Sequence, residues 1–316
     1  MSIDSNIELF LSNRDFFQKA WRLGSNLDAS LAALLCTSRN VLATQDNLEQ
    51  CESLLKSKLS MFSHFRGFSQ SAVISILMGQ DDPEALLDKA IGIYKDLSKQ
   101  FLIDDYLPIG AMIIAIMNQP ERNAEIIERS RAIYKTFRSK HPLITDSQDS
   151  ILCILLGCTK YDVNQIVEHT EECMRLLKKG FFSADHYQSL GMILALYPES
   201  PQEKAEKVKA LLDEFQKQKI MWGRNYELAL TGSLAMSGQP PEILVQKVQY
   251  ADNILNKSTG FQLIDTSGSY RTVLAASLVL DAISENREAD YFVVGSLIGM
   301  LITEYIIIMM TVNMQM

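Results

Sequence analysis

Paired carboxylates are the first residues in this chain whose type and spacing suggest chemistry. Asp81-Asp82 and Asp104-Asp105 each set two acids side by side, an arrangement able to bind a cation. Neither pair has the third aspartate of a DDxxD motif, because position 85 is Ala and position 108 is Pro. Cys153 and Cys158 fall on one expected helix, and His169 and Cys173 share a face of the next. Zinc accepts such ligands, but the tight CxxC spacing of structural zinc sites is missing, so packing of the thiols in the core is expected. His186 follows Asp185 and His141 precedes Pro142, while His64 has no evident partner. Acid–base catalysis needs a positioned substrate as well as a paired histidine, so surface or capping roles are expected for His141 and His186. The chain has no HExxH, no glycine-rich phosphate loop and no GxSxG. No catalytic residue, metal or cofactor is assigned.

Two residue types recur where a second helix of each repeating unit should begin. The acids are Asp104, Asp105, Asp146, Asp149, Asp185 and Asp265; the tyrosines are Tyr106, Tyr187, Tyr226 and Tyr270. Aspartate caps helix N-termini well, which accounts for the acids, and an acidic rim is the alternative. The tyrosines either pack between hairpins or line an aromatic groove, since tyrosine combines rigid contact area with a hydroxyl. The candidate binding residues are therefore Tyr106, Asp146, Asp185, Tyr187 and Tyr226, on the expectation that the second helices face a concave side.

The elements that must carry these residues are marked by proline and lysine. Pro83, Pro120, Pro201 and Pro241 are each followed within two residues by Glu, with gaps of 37, 81 and 40 residues. Proline suits the first helical position and acids suit the first turn. Lys58, Lys99, Lys140, Lys179, Lys217 and Lys257 each close a helical pattern and recur at nearly the same interval. A short apolar knot follows, such as Phe101-Leu102-Ile103 or Phe181-Phe182, and then Asp104, Thr145, Ser183 or Asp265 as an expected N-cap. Each unit reads as helix, turn, helix. The first helix is amphipathic, as in Leu86, Leu87, Ala90, Ile93, Tyr94 and Leu97; the second is apolar on most sides, as in residues 109–116.

The expected fold is all-α: an α-solenoid-like array of about seven helical hairpins with a period near 40 residues. Residues 1–316 form one domain, with a degenerate hairpin at 1–44, six hairpins at 45–286 and an apolar C-terminal closing helix at 287–316. Tyr291 to Val312 is strongly apolar, but Glu304 near its middle disfavours a membrane anchor. Gly295, Gly299 and Thr303 form a small-residue stripe suited to packing in the array or to a homodimer.

Composition narrows the partners. The formal net charge of -8, with scattered basic residues, argues against nucleic acid. Five cysteines without a CxxC, and an acidic N-terminus unlike a signal peptide, point to a reducing, cytoplasmic setting.

The segments Glu128–Lys135 (ERSRAIYK), Asp146–Asp149 (DSQD) and Leu176–Phe181 (LLKKGF) resemble a bacterial family catalogued as domain of unknown function 4003. The resemblance covers nearly the whole chain. It implies an all-helical bacterial cytosolic protein, and it brings no activity and no functional residues. With no chemical motif, the expected function is a non-catalytic protein- or peptide-interaction module using the concave face of the array. The alternative is an enzyme or small-molecule-binding regulator with a cavity between helices.

Overall fold

The computed structural model describes residues 2–21, 26–177, 184–223, 227–259, 261 and 269–284. Among them the chain forms fourteen α-helices and no strand. In chain order they are α1 (Ile3–Ala20), α2 (Asn26–Thr37), α3 (Gln45–Lys58), α4 (Gln70–Met78), α5 (Pro83–Leu97), α6 (Leu107–Met117) and α7 (Asn123–Lys140). They continue with α8 (Asp149–Cys158), α9 (Val163–Leu177), α10 (Ala184–Leu194), α11 (Pro201–Lys217), α12 (Glu227–Ala235), α13 (Pro241–Lys257) and α14 (Ser269–Ser284).

Local chemistry sets the helix starts. Pro83, Pro201 and Pro241 open α5, α11 and α13, where a missing N–H costs nothing. Asp82 accepts from Ala85 N at 2.9 Å. Ser200 and Glu203 form a reciprocal capping box: Glu203 N donates to Ser200 Oγ, and Ser200 N donates to Glu203 Oε2. Pro120 departs from the pattern. It opens a short 3-10 turn, and α7 begins only at Asn123.

Odd and even helices differ in burial. On α5 only Leu86, Leu87, Ala90, Ile93 and Leu97 are buried, one stripe at helical spacing. On α8 and α12 every residue is buried. A helix buried on all sides must lie between neighbours. Accordingly α2, α4, α6, α8, α10 and α12 each pack on the next even helix, and odd helices from α5 to α13 pack side by side. Close approach between the two sets depends on small residues. A Cβ on Gly157 of α8 would sit 2.1 Å from Ser130 Oγ and 2.9 Å from Ser130 N on α7. Ser130 is itself fully buried and turns its hydroxyl onto Ile126 O, so it cannot move aside.

The first helix packs on the last described ones. α1 contacts both α13 and α14. Asn6 Nδ2 donates to Asp281 Oδ2 at 2.9 Å, and Tyr250 Oη donates to Asp4 Oδ1 at 2.7 Å. Arg14, fully buried, donates to Ser30 Oγ and to Thr259 O and stacks 4.1 Å over the Phe261 ring. Contacts of the same kind join α11 to α9 and to the connection after α10. Lys204, the fourth residue of α11, donates to Tyr197 O just beyond α10, as Asn6, the fourth residue of α1, reaches the last turn of α14. Gln202 at the start of α11 meets Glu172 within α9, as Asp4 meets Tyr250 within α13.

The expected closing helix at 287–316, with its apolar run and small-residue stripe, lies outside the described residues, as do Tyr226, Lys179 and Asp265. No described helix is long and apolar enough to cross a membrane.

Candidate functional site

The even helices carry the predicted groove residues into the core. Tyr106, just before α6, is 3% exposed, and Tyr187 on α10 is 4% exposed. Neither offers an open aromatic surface, because the helices that bear them are packed on all sides. Burial, and then the nearby carboxylates of Asp146, Asp104 and Asp105, push the Tyr106 phenol well above its usual range. Asp146 is exposed, and Asp185 lies in the first turn of α10, its side chain outside the described set. The structure thus brings Tyr106 and Asp146 to one corner of the fold.

The acids there organise backbone. Asp104, the expected N-cap of the second helix, stands two residues before the N-cap position Tyr106, its Oδ1 accepting from Tyr106 N at 3.0 Å and Leu107 N at 3.1 Å. Asp149 Oδ2 accepts from Asp146 N, and Asp146 Oδ1 accepts from Gln148 N. Thr145 does not cap α8. It is buried and its hydroxyl donates to Gln188 Oε1 on α10. His64, partnerless in the sequence, has Asp105 Oδ1 3.0 Å from its Nδ1, and His141 Nε2 lies 2.7 Å from Glu171 Oε1.

Cys153, Cys158 and Cys173 are buried in the core with Cys36 and Cys51. Among the described residues no three His, Cys, Asp or Glu side chains converge as a metal site. His169 instead lines a cavity of about 10 Å³ with Tyr161, Gln165, Ile166, Ala195, Tyr197 and Pro198, room for about one water. Behind it lies the buried Lys204 Nζ, 3.5 Å from His169 Nδ1. Burial, followed by the Lys204 charge, holds the His169 pKa down.

The connections that follow the odd helices form a different kind of surface. Seven of the ten large apolar side chains exposed among the described residues lie in them. Met61, Phe62 and Phe68 follow α3, Leu102 and Ile103 follow α5, Leu143 follows α7, and Met221 follows α11. Leu143 is 97% exposed, Phe62 87% and Leu102 73%. The core takes only part of each knot: Phe101 is buried against Tyr134 and its neighbour Leu102 projects. His64 and Asp105 tie the first of these connections to the second.

The family description "Protein of unknown function (DUF4003)" matches residues 17–315. The chain belongs to the DUF4003 family. No curated protein and no solved structure matches it. In this DUF4003 protein the projecting turns are the least predictable feature from sequence, since an apolar residue that anchors a turn and one that leaves it look alike. The signal was the length of the knots, which is more apolar surface than a single turn can bury.

Proposed function

We propose that this DUF4003 chain is a closed ring of seven helical hairpins that acts as a non-catalytic docking module, and that its partner engages the rim of turns following the odd helices. The reading rests on one observation: Met61, Phe62, Leu102, Ile103, Leu143 and Met221 stand exposed in the turns that follow α3, α5, α7 and α11. In an array of antiparallel hairpins the odd helices run one way, and the turns that follow them share one end. Several large apolar side chains left exposed at one end of a fold suit an interaction site. Ring closure is supported by the way α1 sits on α13 and reaches α14, as α11 sits on α9 and reaches the connection after α10.

A photo-crosslinking residue placed at Leu143 in cells, with one at Ile243 in the first turn of α13 as control, tests the docking rim. Adducts are expected from position 143 and not from 243. Equal yields at both positions, or none at 143, would sink the proposal.

A further inference from the structure

Charge is distributed along this molecule as unevenly as apolar surface. The first turns of α7, α11 and α13, at the end opposite the rim, carry exposed Glu125, Glu203 and Glu242. The last turns and the connections after them carry exposed Lys56, Lys99, Lys140, Lys219 and Lys257, of which Lys56 pairs with Glu52 and Lys99 with Asp96, and fewer exposed acids, Asp96 and Asp146. Dipole complementation explains a lysine in each last turn. It does not explain Lys219, which lies past the end of α11 with φ 59° and stands two residues from exposed Met221. Nor does it explain why the turns after α3, α5, α7 and α11 also expose large apolar side chains.

We infer that the rim formed by the turns after α3, α5, α7 and α11 docks on an anionic lipid surface, its apolar tips entering the headgroup boundary and its lysines contacting lipid phosphates. This rests on the docking rim proposed above and names its partner. The projecting side chains stand on separate turns as convex points. A protein partner would need a matching pocket for each, whereas a lipid interface accepts protruding apolar groups without shape complementarity. Lysines beside the tips supply the attraction to anionic headgroups, and the acidic end is held away from the surface. A second copy docked rim to rim would set lysines against lysines.

Co-sedimentation of the full chain with vesicles tests the inference. Phosphatidylcholine vesicles are compared with vesicles of equal parts phosphatidylcholine and phosphatidylglycerol. Binding to the anionic vesicles is expected to be at least about tenfold stronger, and to weaken as salt is raised. The exposed double variants Phe62→Ser with Leu143→Ser, and Lys140→Glu with Lys219→Glu, are expected to lose about tenfold or more each while keeping the parent's thermal melt. Ile243→Ser, at the other end, leaves binding unchanged. Vesicle binding that both rim variants retain would overturn the rim as the lipid surface. If the parent ignores both vesicles yet self-associates in sedimentation velocity, and Phe62→Ser with Leu143→Ser abolishes that, the lipid assignment fails and the docking rim stands. If neither vesicle binding nor rim-dependent association occurs, both readings fall.

Discussion

At the scale of single residues, burial dominates the chemistry. Burial raises the Cys36 and Cys158 thiols to about 12 and those of Cys51 and Cys173 to about 11, and it raises Cys153 as well. The folded protein is therefore expected to show almost no reaction with a disulfide reagent at pH 8, and all five thiols should react after denaturation. A rapidly reacting thiol in the native protein would contradict this packing. Asp281 makes the opposite kind of prediction. Burial pushes its carboxyl up to about 6, above its value in an unfolded chain. The folded state then holds this proton more tightly than the unfolded state. The associated stability is fully present below about pH 4, declines as pH rises through about 6, and is absent above. Asp281→Asn keeps an acceptor for Asn6 and removes the ionisation. Its melting temperature should exceed the parent's at pH 7 by a few degrees, and the two should converge near pH 4.

At the scale of elements, helix starts and stops were largely legible. Pro83, Pro201 and Pro241 open helices, and Lys58, Lys99, Lys140, Lys217 and Lys257 sit at or near helix ends, because capping and dipole effects act within one turn and leave local traces. What failed needed partners far away in the chain. His64 and Asp105 are 41 residues apart, and nothing near His64 signals the bond. Tyr106 and Tyr187 share a sequence position with groove residues of an open array, and only the even helices being packed on every side removes them from solvent. Thr145 reads as a cap and instead reaches Gln188. Two glycines set the packing tolerance apart. Gly157→Ala should destabilise by about 1–3 kcal/mol, because its Cβ would meet backbone of α7. Gly92→Ala, with nothing within 4 Å of its Cβ, should stabilise α5 by about 0.5–1 kcal/mol. Paired chemical melts of the two variants check both signs.

At the scale of the whole molecule, the proposed ring makes a distance prediction. Spin labels on exposed Glu8 of α1 and Gln249 of α13 should lie about 20 Å apart, since neighbouring helix axes are separated by about 8–10 Å plus the label arms. An open row of seven hairpins would separate them by about 50 Å or more, and a distance in that range would rule the ring out. The meeting of α1 with α14 also fixes an order of events during synthesis. Asn6 finds Asp281 only after 275 further residues exist, and Arg14 finds Thr259 after 245. At about 5–20 residues per second, α1 leaves the ribosome roughly 14 to 55 seconds before its final neighbour is made. Through that interval Phe10, Arg14 and Phe17, all destined for complete burial, have only α2 and the nascent hairpins beside them. The helix made first is thus the one whose packing is completed last, and a chain halted before α13 leaves the bearing face of α1 as its exposed edge.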